Sequence, residues 1–202
     1  MPRSARRSNN RIEPLLDAAA HCFALQGYHG TTMREIAKSI DMLPGSVYYH
    51  FPSKEDLALA VYREGVRNLC DRVEQSLADI AEPWARLETA LTAHLETILD
   101  QSPYARVLIR ILPDQLPARA AELTALRADY EKRFAGLIAD LPLPANAKPG
   151  LLRLFLLGAA NWTEIWYRPE VETPAAIARQ FVQFLRQPMD ENHTGAADDR
   201  PA

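Results

Sequence analysis

The chain has 202 residues, of which 48% are hydrophobic and 24% are charged, and this composition is typical of a globular protein with one or two domains. Its longest uninterrupted apolar run, residues 154–160, has seven residues, whereas a membrane-spanning helix needs roughly 18 or more. No apolar signal region follows the first arginines, and two cysteines are too few for a disulfide framework. We therefore exclude membrane proteins and small secreted domains, and we expect a cytoplasmic protein with no membrane partner.

The net charge of −3 is distributed unevenly along the chain. Residues 1–54 carry seven Lys or Arg and four Asp or Glu, for a net charge of +3, and the remainder is at −6. A basic segment before an acidic body indicates a polyanionic partner for the N-terminal part alone. The arginines that precede Ile12 have no acidic neighbour, so residues 1–10 are interpreted either as an arm that reaches DNA or as a solubilising tail.

The spacing of apolar residues predicts an all-α fold, because they recur every three or four residues and never alternate over a long stretch. The first helix begins at about Ile12 and stops at Gly27. Thr32 and Glu35 form a capping box that opens the second helix. A third, short helix runs from about Pro44 to His50, and Ser53 opens a long fourth one.

Prolines mark the starts of most later helices, at positions where the missing N–H costs little. The pattern predicts three short helices followed by about six longer ones. We divide the chain into a basic arm (1–10), a segment of three short helices (11–53), a longer helical segment (54–187) and a disordered tail (188–202).

Two short helices joined by a tight turn within the basic segment indicate a helix-turn-helix that binds double-stranded DNA. Asp41 lies where the chain must reverse, and Asp tolerates the left-handed backbone conformation better than most residues. The segment from Pro44 to His50 is then the recognition helix, in which the small Gly45 leaves room for close approach to base edges. Lys54 lies at the start of the next helix, where its charge favours a phosphate.

Two stretches, GYHGTTMREIA at residues 27–37 and GSVYYHFPSKEDL at residues 45–57, strongly resemble the DNA-binding domain of the TetR family. Members of this family are dimeric bacterial transcriptional regulators, usually repressors that a small ligand releases from an operator. The resemblance implies an all-α fold of about nine helices. Residues 11–53 would be a helix-turn-helix DNA-binding domain of three helices, and residues 54–187 would be a helical ligand-binding and dimerisation domain. Asp41 and Leu43 depart from the family, which often has Gly and Ser at these positions, so Leu43 cannot cap the recognition helix.

The resemblance and the residue types together assign a set of DNA-contacting residues. Tyr48, Tyr49 and His50 offer donors to phosphates, while Leu43 either only starts the helix or touches a thymine methyl group. The full set is Thr31, Thr32, Arg34, Leu43, Pro44, Gly45, Ser46, Tyr48, Tyr49, His50 and Lys54.

The remainder of the chain contains no catalytic motif, and its histidines show no metal-binding spacing. We therefore expect neither an enzyme nor a cofactor. Polar and aromatic residues interrupt several apolar stripes, a pattern typical of a small-molecule site, although each residue alone also suits an ordinary boundary position. The candidate ligand-binding residues are Trp84, His94, Tyr104, Arg106, Arg110, Asn161, Trp162 and Ile165.

A short motif, Asn161-Trp162 followed by Trp166-Tyr167-Arg168-Pro169, is similar to one in a branch of TetR-like regulators that includes sensors of CoA thioesters. This resemblance implies a small apolar or acyl effector, with acyl-CoA as one form of it. Arg106 or Arg110 would then meet the CoA phosphates.

The apolar residues between Leu151 and Leu157 cover more than one face of a single helix, so part of that surface needs a partner. We expect a homodimer built on a twofold axis. The predicted interface residues are Leu151, Phe155, Gly158, Ala159, Phe181, Phe184 and Leu185.

The sequence thus favours a ligand-responsive homodimeric repressor that binds a palindromic operator. Two alternatives stay open at this point. One is a TetR-like DNA-binding protein without an inducer, such as a chromosome-associated division inhibitor. The other is an all-α enzyme or scaffold whose basic N-terminus serves only solubility.

Overall fold

The computed structural model of the protein describes residues 11–194, with side chains as far as Arg186. The predicted arm, residues 1–10, lies outside the described residues. Within the described range there are nine α-helices and no strand, as the apolar spacing predicted. The helices are α1 (Ile12–Gly30), α2 (Met33–Ser39), α3 (Pro44–His50), α4 (Lys54–Ser76), α5 (Pro83–Leu99), α6 (Pro103–Arg110), α7 (Ala120–Ala139), α8 (Pro149–Trp166) and α9 (Pro174–Thr194).

The chain divides into two compact units. Residues up to 69 and residues 100–130 form the first, and residues 70–99 and those from 131 onward form the second. The division falls within α4 and α7, so both helices contribute to both units. The functional boundary at residues 53 and 54 stays a prediction, since it divides the chain by role and not by packing.

In the first unit, α1 packs against α2 and α6, and α2 packs against α3. The apolar stripe of each helix faces this interior, as expected of amphipathic helices. Leu15, Ile36, Val47 and Leu57 come from four successive helices, and none of them retains exposed surface. This shared core fixes the orientation of α3.

In the second unit, α5 packs against α9 and α8. Leu87, Leu91 and Leu95 of α5 are fully buried, together with Leu156 of α8. The helix α9 continues to Thr194 and so includes the first seven residues of the predicted tail, residues 188–194. A polar composition alone does not prevent a helix, so composition placed this boundary too early; residues 195–202 lie outside the described range. None of the described helices is long and apolar enough to cross a membrane.

The start of α4 is tied to the segment that follows α6. Ser53 Oγ donates to Asp56 Oδ2 over 2.7 Å, and the Asp56 N–H donates back to Ser53 Oγ over 3.1 Å. Arg119 donates from Nε and Nη2 to Asp56 Oδ1, over 2.8 and 2.7 Å. The Ser53 hydrogen bond, and then Arg119, lower the pKa of Asp56. Ser53 Oγ therefore caps α4, and the Asp56 carboxylate that binds this hydroxyl also holds Arg119 in place.

Candidate nucleic-acid interface and ligand site

The helix α2 begins with the predicted capping box. The Thr32 N–H donates to Glu35 Oε2 over 2.8 Å, and the Glu35 N–H donates to Thr32 Oγ1 over 3.2 Å. The hydrogen bonds from Thr32 lower the pKa of Glu35, which keeps the carboxylate ionised at the helix N-terminus. This local network sets the direction of the first helix of the helix-turn-helix.

The turn between α2 and α3 depends on a left-handed residue at the predicted position. Asp41 has a φ of 52°, and the N–H of Met42 donates back to Ala37 O over 2.9 Å. Val47 is then directed into the core, while Tyr48 and Tyr49 are 49% and 82% exposed. Tyr48 and Tyr49 therefore lie on the open face of α3, as their predicted contacts with phosphates require.

Leu43 occupies the N-cap position of α3 and makes no side-chain cap, as the sequence predicted. Pro44 and Gly45 beside it are exposed, and Ser46 and His50 are half-buried. Arg34 of α2 is exposed and pairs with no acidic group among the described residues. Its cation is therefore available to a phosphate.

Thr31 is in the core, which corrects the prediction that its side chain contacts DNA. It is fully buried, and its hydroxyl donates to the carbonyl groups of Gly27 and Cys22, at 2.8 and 3.1 Å. Gly27 interrupts α1 with a φ of 74°, a conformation that costs glycine little. Two carbonyl groups of α1, on either side of its last turns, thus bind the Thr31 hydroxyl, and no side-chain pattern in the sequence marks this contact.

Lys54 also has a role that the sequence did not reveal. Its Nζ donates to Tyr28 O over 2.8 Å and to Thr31 O over 2.9 Å, and it lies 4.3 Å from the centroid of the Tyr28 ring. Desolvation lowers the pKa of Lys54, against the opposing charge of Glu35. The predicted phosphate ligand instead joins the end of α1 to the start of α4.

Two of the predicted ligand-binding residues are buried in the second unit. His94 is 2% exposed and meets the ring of Phe134 edge-on, with centroids 5.8 Å apart. Burial lowers the pKa of His94 to about 4, against a hydrogen bond with Asn161 that raises it. The imidazole is therefore neutral at pH 7. Trp84 is 4% exposed, with the guanidinium of Arg186 6.0 Å from its ring centroid.

Asn161, at an exposed position of α8, hydrogen-bonds His94, but the other residues of that predicted set do not join them. Trp162 and Ile165 are 64% and 59% exposed, so they line no interior cavity of the protomer. Tyr104, Arg106 and Arg110 belong to the first unit. There Tyr104 donates to Asp17 Oδ1 over 2.9 Å, Arg106 to Gln101 Oε1 over 3.0 Å, and Arg110 to Ala24 O over 3.3 Å. The four-residue spacing of Arg106 and Arg110 places them on one face of α6, but spacing within a helix does not reveal which unit the helix belongs to.

A groove that the sequence did not reveal lies in the second unit, with a volume of about 390 Å³. Its walls come from the end of α8, the loop after it and the first turns of α9. The lining residues are Trp166, Glu172, Ala176, Ile177, Arg179, Gln180 and Phe181. Within the described residues, no three His, Cys, Asp or Glu side chains are placed to hold a metal ion.

The residues predicted to form a dimer interface fall into two groups. Leu151, Phe155 and Phe184 are 60–65% exposed, and a Cβ on Gly158 would meet no heavy atom within 4 Å. Ala159 and Phe181 are half-buried. Leu185 is only 9% exposed and belongs to the core of its own protomer, which corrects its assignment; its neighbour Phe184 occupies the outward position on the helix.

Known proteins match this chain over almost its whole length. A family described as "Bacterial regulatory proteins, tetR family" matches residues 15–61, and "Tetracyclin repressor-like, C-terminal domain" matches residues 80–189. The HTH-type transcriptional repressor KstR2 of Rhodococcus jostii is 30% identical in an alignment of length 200, which covers 93% of this chain and 94% of that protein.

Solved structures of such regulators share the fold. The ketosteroid transcriptional regulator KstR2 of Mycobacterium tuberculosis is 25% identical, with a TM-score of 0.65 over 90% of this chain and 94% of that one. AibR in complex with isovaleryl coenzyme A and operator DNA is 23% identical, with a TM-score of 0.72 over 86% of this chain and 97% of that one. At 23% identity, the similarity to AibR shows a shared fold alone.

Proposed function

Because the chain belongs to the TetR family of bacterial transcriptional regulators, we propose that it is a homodimeric repressor that a small effector releases from a palindromic operator. The observation that carries this proposal is the exposed face of α3 at the end of a capped helix-turn-helix. Leu43, Tyr48 and Tyr49 point away from the core there, and a recognition helix presents such residues to the major groove.

The dimer is proposed from the outer face of α8. Leu151, Leu154 and Phe155 are each more than half exposed, and Phe184 of α9 is 60% exposed. Large apolar side chains that are neighbours on one surface favour burial against a partner. A second copy of α8 and α9 related by a twofold axis would bury them in a four-helix interface, and the two recognition helices would then read a palindrome.

The effector is proposed to be an apolar or acyl molecule, acyl-CoA thioesters included, that binds in the second unit near His94 and Asn161. Neutral His94 can hydrogen-bond a polar group of an otherwise apolar ligand, and Phe134 provides an aromatic wall beside it. The name of the Mycobacterium tuberculosis relative, a ketosteroid transcriptional regulator, supports apolar chemistry.

The test is an electrophoretic mobility shift of the full chain on the DNA upstream of its own gene. We expect a specific complex that one class among acyl-CoAs, fatty acids, ketosteroids and aromatic acids dissociates. The variant His94→Phe should bind DNA and lose the response to the effector, whereas Gln180→Ala, in the groove of α8 and α9, should keep it. Failure to bind that DNA or any duplex selected from a random pool would refute the proposed function.

A further inference from the structure

An exposed leucine occupies the cap position of the recognition helix. Leu43 has an extended backbone, with a φ of −70° and a ψ of 137°, and its side chain is 76% exposed. Ser, Thr, Asp and Asn are preferred at such a position because their side-chain oxygens accept a free helix N–H. Capping therefore does not explain this leucine, and its exposure shows that packing in the core does not explain it either.

The surface around Leu43 is open. A Cβ on Gly45 would meet no heavy atom within 4 Å, and Pro44 is exposed as well. The N-terminal residues of a recognition helix are the ones that contact base edges, while residues elsewhere in the motif contact the backbone. Leu43 therefore lies where the edges of the base pairs would approach the protein.

We propose that Leu43 is a specificity-determining residue that contacts the C5-methyl group of a thymine in the major groove, an inference that rests on the proposed function. Leucine has no donor or acceptor, so it satisfies neither a phosphate nor a polar base edge. Among the base edges in the major groove, thymine presents a methyl group. Each half-site of the operator would then contain one thymine that Leu43 reads.

This contact differs from a phosphate contact in what it controls. It releases no counterion, so it leaves the salt dependence of binding unchanged. It acts only where the methyl group is present, so it discriminates between sequences. Arg34, by contrast, would attract any duplex.

The test uses a duplex that the wild-type protein selects from a random pool, in which deoxyuridine replaces the thymines one symmetric pair at a time. Deoxyuridine lacks only the methyl group. At one symmetric pair we expect the affinity of the wild-type protein to fall about fifteenfold. Each methyl group lost from apolar contact lowers the affinity about fourfold, and one pair contains two such groups. Leu43→Ser supplies a capping hydroxyl, so α3 should stay folded by circular dichroism, and the variant should bind the thymine and deoxyuridine duplexes equally.

A matched control is Leu25→Ala, which removes another exposed leucine, 61% accessible, from α1. It should keep the wild-type response to deoxyuridine. Wild-type indifference to every replacement, or equal sensitivity in Leu43→Ser, would overturn the thymine contact and leave the repressor proposal standing. A selection that yields no bound duplex would refute the repressor proposal and this inference with it.

Discussion

The ammonium group of Lys54 donates to the carbonyl oxygens of Tyr28 and Thr31, at the C-terminal end of α1, and lies against the face of the Tyr28 ring. Lys54→Met removes the charged hydrogen bonds and keeps most of the apolar stem. We expect the free energy of unfolding to fall by about 1–2 kcal/mol in a urea titration, because charged hydrogen bonds of partly buried groups contribute on this order. Operator affinity should fall with it.

The salt dependence of DNA binding separates this role from a phosphate contact. Loss of a phosphate ligand would lower the slope of log affinity against log salt by about one. In Lys54→Met we expect an unchanged slope, since two donors of Nζ already bind carbonyl groups of the protein. Lys38→Met, at an exposed position of α2, is the control that should leave stability unchanged. A lower slope with wild-type stability in Lys54→Met would show that the sequence-based assignment to a phosphate was right.

Burial makes His94 a source of acid sensitivity. Its folded pKa of about 4 lies below the ordinary value of 6.5, so the unfolded state binds a proton first as the pH falls. The contribution of neutral His94 to the stability of the folded state is complete above pH 6.5 and is lost as the pH falls through about 4. Over that interval the free energy of unfolding should drop by on the order of 3 kcal/mol from this group.

The measurement is the free energy of unfolding of wild type and His94→Gln at several pH values. The difference between the two proteins should shrink as the pH falls from 6.5 toward 4, because Gln does not titrate. His21→Gln, at an exposed position of α1, should follow the wild-type curve throughout. Parallel curves for wild type and His94→Gln would rule out a depressed pKa at this position.

At the scale of helices, the Asp56 carboxylate joins the N-terminus of α4 to Arg119. Asp56→Asn should lower the free energy of unfolding by about 1 kcal/mol at pH 7, a magnitude typical of a lost ion pair that is partly exposed. Because the folded pKa of Asp56 is lowered, its stabilisation is present above the unfolded pKa and is lost as the pH falls through the folded one. The difference between wild type and variant should therefore shrink in acid.

A second variant identifies which partner carries the effect. Arg119→Ala removes the cross-element bond and leaves the Ser53 cap intact, so it should cost less than Asp56→Asn. Glu122→Ala, which removes only the exposed neighbour of Arg119, should be nearly neutral. Equal losses in Arg119→Ala and Glu122→Ala would contradict a specific bond to Asp56.

Local signals in the sequence were sufficient for the helices and for the helix-turn-helix. The capping box at Thr32 and the left-handed turn at Asp41 depend on neighbouring residues, so both can be recognised in the sequence without knowledge of the fold. The structural roles of Thr31 and Lys54 could not be predicted from the sequence, because their hydrogen-bond partners lie 4 to 26 positions away and are backbone carbonyls, which every residue type has. A side-chain pattern cannot show where a free carbonyl will point.

At the scale of the whole molecule, the exposed apolar face of α8 is the surface through which the proposed dimer would form. Gly158→Arg should dissociate the proposed dimer and abolish operator binding, while the protomer stays folded because the new side chain starts in open space. Gly136→Arg, an exposed glycine of α7 with equally open surroundings, is the matched control and should remain dimeric. Sedimentation velocity at micromolar concentration measures both variants, and a monomeric wild type would refute the interface.

The ligand set shows the limit of helical spacing at this scale. Trp84 and His94 are buried together in the second unit, while Tyr104 and Arg106 hydrogen-bond within the first. Each of these four residues is a polar or aromatic residue on an apolar stripe, as the sequence indicated. Spacing within one helix does not determine which helices pack into the same unit, since that depends on contacts between distant segments.

The unequal surroundings of the three tryptophans give the protein a built-in optical readout. Trp84 is 4% exposed, whereas Trp162 and Trp166 are 64% and 41% exposed. Intrinsic fluorescence should therefore contain a blue component from Trp84 and a red component from the two indoles of α8. Iodide should quench the red component in a dissociated protomer, and this quenching should be lost in a dimer. An effector that binds near His94 should instead alter the blue component. Assembly and effector occupancy would then be followed in one unlabelled sample, at two wavelengths.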